Sequence, residues 1–379
     1  MSDTPLHRLH AAGQSIWLDY IDRTMLFDGD LERRIAGDAL TGMTSNPTIF
    51  EKALAEGHAY DAQLAGIAPG LPAREVFDHV AVEDVRRACD IFAAVYERAN
   101  GADGFVSLEV APDLANDAAG TVRDARRLWQ AVDRPNLMVK VPGTVAGADA
   151  VRELIADGVN VNVTLLFSID AHRRVIEAYM AGLERRVAAG QPVDHVASVA
   201  SFFVSRVDSE IDRRLDAIVA AGGDDAAHAA ELKGRAAIAN AKHAYRLFCS
   251  ELHTPRWQAL KAKGAQPQRP LWASTSTKNP AYRDVLYVEQ LIGPHTVNTM
   301  PPATLEAFRD HGVVARTVDH DVEAATRDLA ALEALGISLA EVTDKLLVEG
   351  LASFQKSFDS LIAGLDRKLE STRAGAVVG

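Results

Sequence analysis

Short β-branched or apolar runs alternate with long Ala-, Glu- and Arg-rich stretches along most of this chain, and no other feature restricts its fold as much. A strand, a helical crossover and another strand build a parallel sheet. Eight runs read as strands, at 16–21, 41–46, 105–110, 137–141, 160–167, 196–204, 270–274 and 296–300. Helical periodicity fills the gaps, for instance at 73–99, 115–131, 171–187 and 231–262. Asn46-Pro47 puts a proline at a helix's first position, and Ser168 is placed to cap a helix beginning near Ile169. Eight strands with helices between them predict an α/β fold, a TIM-type (β/α)8 barrel.

Past Pro302 no strand pattern recurs, and 322–335, 338–349 and 351–370 read as helices. The expected organisation is a barrel carrying the catalytic site over 1–310, an additional C-terminal helical extension packing on it over 311–370, and a disordered tail at 371–379. A chain of 379 residues with 48% hydrophobic content can bury such a core as one domain. No internal repeat or Pro/Gly-rich linker marks a second one.

Strands alternate side-chain direction, so parity sorts each run into two faces. One face is polar in almost every run. Asn160, Asn162 and Thr164 oppose Val161, Val163 and Leu165; Ser107 and Glu109 oppose Val106, Leu108 and Val110; Lys140 opposes Val139 and Val141. Asp19 opposes Leu18 and Tyr20, Thr44 and Asn46 share a face, and Ser201 opposes Ala200 and Phe202. Crossover helices need an apolar face, so the polar parity points into the barrel, where a structural core would hold Val, Ile and Leu. Most of these residues also fall late in their strands, at the end where barrel enzymes build active sites. The alternative is a sheet covered on one side only, its polar face in water.

Lys140 stands alone in an apolar run, Leu137 to Val141. Desolvation there disfavours the ammonium and exposes a neutral amine, the form that attacks a carbonyl, so Lys140 is a candidate Schiff-base nucleophile. The competing reading is a buried ion pair with Glu109 or Asp19. Imine chemistry needs an acid/base for dehydration, and carbon–carbon cleavage needs a base at the departing hydroxyl; Glu109 and Asp19 are candidates for the two posts. Asn46, Asn162, Thr164 and Ser201 offer amides and hydroxyls for a polyhydroxylated fragment. Arg206 directly follows the sixth strand and Ser274 to Lys278 follow the seventh, where barrels often bind phosphate.

The net charge of −12 argues against general affinity for nucleic acid or anionic membranes. Cys89 and Cys249 have no metal-type spacing and are too few to staple a chain of this length, which fits a reducing compartment. Residues 1–14 lack an apolar signal segment and no later run reaches bilayer-spanning length, so a cytoplasmic protein is expected. Oligomeric state is left open.

The segments Ile16-Trp17-Leu18-Asp19-Tyr20, Gly42-Met43-Thr44-Ser45-Asn46-Pro47, Val106-Ser107-Leu108-Glu109-Val110 and Met138-Val139-Lys140-Val141-Pro142-Gly143 resemble the transaldolase family, in particular its longer bacterial branch. So do the stretch from Asn160 to Ser168 and the stretch from Trp272 to Lys278, and the resemblance runs to about Pro302. It implies a lysine Schiff base formed by Lys140 with the ketose C2, Asp19 as base at the C4 hydroxyl, and Glu109 with Thr164 holding the water of imine formation and hydrolysis. It further implies that Asn46 and Asn162 bind the dihydroxyacetone fragment, with Ser201 nearby, and that Arg206 takes the phosphate. The implied reaction passes dihydroxyacetone from sedoheptulose 7-phosphate to glyceraldehyde 3-phosphate, giving erythrose 4-phosphate and fructose 6-phosphate, a step of the pentose phosphate pathway. It needs no metal or organic cofactor. Shorter members carry an arginine in the loop after strand seven, where this chain has Lys278 at a different spacing. They also commonly have Pro and Gly around strand six, which here reads Ser201-Phe202-Phe203-Val204-Ser205-Arg206. Two rivals remain. In a fructose-6-phosphate aldolase, Gln and Tyr stand where this chain has Glu109 and Phe203. In a non-catalytic sugar-phosphate-binding barrel, Lys140 is only an ion-pair partner.

Overall fold

All eight strand runs form strands in the computed structural model, which describes residues 4–55, 58–67 and 70–377. They are β1 (Gln14–Asp19), β2 (Leu40–Thr44), β3 (Val106–Glu109), β4 (Leu137–Pro142), β5 (Val161–Leu166), β6 (Ser198–Phe203), β7 (Arg269–Ala273) and β8 (Thr296–Met300). Neighbours pair in parallel in chain order and β8 closes on β1, giving a closed (β/α)8 barrel. The apolar parity of β3, β4 and β5, including Leu108, Val139, Val141, Val161 and Val163, is buried beneath the crossover helices. β2 ends at Thr44, two residues before the predicted end. Asn46 therefore lies in the loop, where its side-chain oxygen accepts from the Ile49 amide at 3.0 Å and starts the helix Pro47–Ala55. Ser168 caps Ile169–Ala188 as its sequence position suggests.

The single helical pattern over 231–262 resolves into Ala226–Leu232, Ala236–Glu251 and Pro255–Lys261. Gly234 at φ +73° interrupts the first junction, and Thr254-Pro255 restarts the chain at the second, the Thr254 hydroxyl capping Trp257. The reverse happens at Gly350. The two tail helices expected on either side of it are one, Leu339–Val377, which also continues past the point where a disordered tail is expected; residues 378–379 lie outside the described residues. Leu346, Phe354, Phe358, Leu361, Leu365 and Leu369 form its buried stripe. Gly350 stands on the same stripe because the helix passes close to β5: a Cβ there would sit 2.9 Å from Leu165 Cδ2.

A cluster of polar groups in the N-terminal half of the barrel is paired structurally. Trp17 Nε1 donates to Asp103 Oδ1 at 2.9 Å, Ser15 Oγ donates to Asp103 Oδ2, and Arg269 Nη1 donates to Ser15 Oγ at 2.7 Å. The indole of Trp17 lies across Gly42, its register partner on β2, so closely that a Cβ at Gly42 would be 2.5 Å from Nε1. The ring is fully buried and cannot move aside. Gly42→Ala is therefore expected to destabilise the fold by roughly 1–3 kcal/mol, the range for an overpacked core. Denaturant unfolding of the variant measures this, and an unchanged midpoint would show that the floor of the barrel has slack.

Candidate active site

The strand register sets the site. Glu109, Lys140 and Asn162 are consecutive partners on β3, β4 and β5, and Pro142 pairs with Thr164 one step further along. Parity turns the polar three inward at one level. Lys140 Nζ lies 3.3 Å from Glu109 Oε2 and donates to the Ser45 carbonyl at 2.9 Å, with only 7% and 5% of the two charged side chains exposed. The ion pair weighed from sequence is thus present with Glu109. Asn162 is fully buried, its amide donating to Ser107 Oγ at 3.0 Å and its carbonyl oxygen accepting from Ser201 Oγ at 2.6 Å.

Above this level a cavity of about 190 Å³ opens at the C-terminal ends of the strands. It gathers Asp19, Asn46, Lys140, Thr164, Ser201, Phe203, Arg206, Ser274 and Lys278, nine of the eleven residues singled out from the sequence. Glu109 and Asn162 lie outside its wall. Glu109 instead lines a narrower chamber with Ser45, Asn46, Arg74 and Phe358, with room for about one water molecule. Asn46 borders both spaces.

The electrostatics divide the site into two ends. Burial raises the Asp19 carboxyl above the ordinary carboxylate value; Lys140, the 2.7 Å hydrogen bond from Thr44 Oγ1, Arg206 and Lys278 all act against that rise. Burial likewise raises Glu109, with Lys140 opposing it and Asp19 adding to it. Glu109 Oε2 has the Lys140 ammonium at 3.3 Å beside it, and Thr164 Oγ1 is buried with no hydrogen-bond partner among the described residues, in a site where paired groups are the rule. At the outer end the Arg206 guanidinium lies over the Phe203 ring at 5.2 Å. Ser274, at φ +56°, brings its hydroxyl to 2.9 Å from Ser205 Oγ, and Lys278 Nζ donates to Ser276 Oγ at 2.8 Å.

Residues 16–365 match the family model described as Transaldolase/Fructose-6-phosphate aldolase. A protein named Transaldolase 2 from Nostoc sp. is 47% identical over 364 residues, covering 94% of this chain and 96% of that protein. A Transaldolase from Parafrankia sp. is 48% identical over 369 residues (97% and 98%), and one from Thermobifida fusca is 47% identical over 368 residues (97% and 98%). The chain belongs to the transaldolase/fructose-6-phosphate aldolase family. The match extends well beyond Pro302, where the resemblance carried by the sequence motifs stopped, so the C-terminal helices belong to the family unit too.

Several site residues of this family member are not singled out by the sequence. Thr299 joins the wall from β8, 2.6 Å from Thr44 Oγ1, and Phe354 enters it from the C-terminal helix. The more polar parity of β8 is that of Thr296 and Asn298, so the rule that finds the other wall residues misses Thr299, and nothing in a helical stripe marks Phe354. A further pair holds the loops at the outer end of the site. Asp208 accepts from the Ala237 amide at 2.7 Å and from Tyr287 Oη at 2.9 Å, while Asp212 accepts from the Gly234 amide at 3.0 Å and from Tyr282 Oη at 2.6 Å. One turn of the helix Ser205–Ala221, which begins beside Arg206, thereby grips the β7–β8 connection that carries Lys278.

Burial pushes the Asp208 carboxyl up to about 7 from an ordinary 3.8, against the hydrogen bond from Ala237. The folded chain keeps this proton where the unfolded chain has lost it. Its contribution to stability is accordingly complete below the unfolded value and disappears as pH rises through about 7. Asp208→Asn, neutral throughout, should gain stability relative to the parent as pH rises across that window. Denaturant melts below and above it test this, and a difference that does not change with pH would contradict it.

Proposed function

We propose that this chain is a transaldolase that moves a dihydroxyacetone unit between phosphorylated sugars through a Schiff base on Lys140. One observation carries the reading above all: a lysine buried beside a carboxylate at the wall of a polyhydroxyl-lined barrel cavity, in a member of this family. A lysine held only as an ion-pair partner would leave Asp19, which lines the same cavity, without a task.

The residues divide the reaction as follows. Lys140 Nζ adds to the ketose C2 carbonyl after passing a proton to Glu109, whose raised proton affinity suits it to accept one. Water then leaves C2 and the iminium forms. Glu109, beside Lys140, and the unpartnered Thr164 Oγ1 are suited to hold that water, and to return it at hydrolysis. Asp19 removes the proton of the C4 hydroxyl, the C3–C4 bond breaks, and its electrons move into the iminium to leave an enamine on Lys140. The first aldose departs and a second aldehyde is attacked in the reverse sense. Asn46 and Ser201 bind hydroxyls of the retained fragment, with Asn162 fixing Ser201 from below. Arg206, Ser274 and Lys278 take the phosphate. Glu109 and Phe203 stand where the resemblance puts Gln and Tyr in enzymes that release dihydroxyacetone to water, which favours transfer. The reading also entails a sugar-phosphate pool at hand, hence the cytoplasm.

Borohydride added with fructose 6-phosphate should trap a covalent adduct on Lys140, and Lys140→Ala should trap none; a native chain that yields no adduct sinks the Schiff-base reading. A coupled assay with erythrose 4-phosphate as acceptor separates transfer from release. If free dihydroxyacetone appears as fast without acceptor as sugar product does with it, the chain is a fructose-6-phosphate aldolase.

The two cations at the outer end should not contribute equally. Arg206 is half-buried and braced by Phe203, whereas Lys278 is exposed and shared with Ser276. Arg206→Ala is expected to weaken sugar-phosphate binding by about 1.5–3 kcal/mol, the range for hydrogen bonds to charged groups, and Lys278→Ala by less. Michaelis constants for the two variants decide it, and equal losses would contradict the ranking.

A further inference from the structure

The C-terminal helix supplies one phenylalanine to each of the two spaces around Lys140. Phe354 lines the substrate cavity, and Phe358, one turn on, lines the narrow chamber that holds the Glu109 carboxylate. Both rings are buried, Phe354 to 6% exposure. The helix is fixed on either side of them. One turn earlier, Gly350 allows its backbone to approach Leu165 and Arg206. After Phe354, Thr48 Oγ1 donates to Ser357 Oγ at 2.8 Å, and the Phe358 ring meets Phe77 edge-on at 5.9 Å. Lys345 ties the start of the helix to Glu210 at 3.2 Å. Phe354 is therefore a built wall, not a side chain that happens to lie near the cavity.

Its centroid is 6.0 Å from Lys140 Nζ. At that separation a cation–π attraction is at the limit of its useful range, so what the ring brings is mainly apolar bulk. Bulk there has a specific consequence. While a full ketose phosphate occupies the cavity, the sugar itself keeps water from the imine. Once the first aldose has left, only three carbons remain on the lysine and the outer cavity is empty.

We propose that Phe354 is a specificity-determining residue: its ring closes the substrate cavity to bulk water during that interval, so that the retained fragment waits for an aldehyde instead of being released. The inference rests on the Schiff-base reading above. The loss it prevents is balanced as follows. The nucleophilic carbon of the enamine takes a proton from solvent, and a water oxygen adds to the imine carbon while its own proton goes to a base. The C–N bond then breaks as the nitrogen regains a proton and the new hydroxyl gives up its own to a base, leaving the carbonyl. Free dihydroxyacetone and free lysine result, with nothing oxidised or reduced. Hydrolysis of the final ketose draws on the water that, on the proposed reading, Glu109 and Thr164 hold at the imine, and not on entry past Phe354.

The test compares two rates in the full chain: dihydroxyacetone release from fructose 6-phosphate without acceptor, and transfer to an added aldehyde. Phe354→Ala should raise the ratio of release to transfer several-fold, while Phe354→Leu, which keeps the bulk without the π face, should stay near the native ratio. A merely structural role would lower both rates together and leave the ratio alone. If the alanine variant does not fold, Phe354→Val opens much of the same path at a smaller loss of core volume and is measured in its place. An unchanged ratio in the small variants, or a leak in Phe354→Leu as large as in Phe354→Ala, overturns the proposal. Borohydride trapping on the native chain is run alongside: an adduct with an unchanged ratio defeats this inference alone, whereas no adduct defeats the reading beneath it.

Discussion

The buried pair of Lys140 and Glu109 is the interaction to which the rest of the molecule is fitted. An ammonium in a barrel interior without its carboxylate would cost several kcal/mol, and so would the carboxylate alone. The pair exists only because β3 and β4 are in one register, with Glu109 opposite Lys140. A slip of one residue would turn Glu109 out among the apolar helices, where neither charge could be met. The same register carries on to Asn162 on β5, whose two hydrogen bonds leave no buried amide unpaired beside the lysine. Barrel closure, strand register and charge burial are thus one constraint seen at three scales.

That constraint is why so much of the molecule is legible in its sequence. Parity is rigid in a strand, so once the sheet closes a polar face that recurs in run after run lies on its inside, and the residues on it meet whatever the loops do. Asp19, Lys140, Thr164 and Ser201 share one cavity for that reason. Helix starts were legible at Asn46 and Ser168 because a cap is a local hydrogen bond with a local signature. Legibility ends where the decisive contact is distant in the chain. Asp208 reaches Tyr287 across 79 positions, and no periodicity announces it. Glycine was ambiguous in the same way. Gly234 breaks a helix through its backbone angle, whereas Gly350 stays helical because its missing Cβ is needed against Leu165.

The C-terminal helix shows how an element outside the barrel becomes part of its chemistry. Its stripe of Leu and Phe reads as ordinary core packing, and at most positions it is that. At Phe354 the surface being covered is the wall of a cavity containing a lysine, so the same apolar contact also controls what solvent can reach. Burial and water exclusion are one physical effect here.

The balance of charge around Asp19 is a last consequence of the layout. The chain as a whole carries −12, yet three cations, Lys140, Arg206 and Lys278, act on this one carboxylate and oppose the rise that burial imposes. On the proposed reading a substrate phosphate lodges against Arg206 and Lys278. Its negative charge offsets theirs, and burial then acts on Asp19 with less opposition, raising its affinity for a proton. Asp19 becomes the stronger base when a phosphorylated sugar is seated, and the C4 hydroxyl it must deprotonate arrives with the same molecule. Lys140, once joined to the substrate as an iminium, remains positive and keeps Asp19 ionised until that proton is taken. The outer cations therefore do more than hold the phosphate: they couple its arrival to the base at the other end of the cavity.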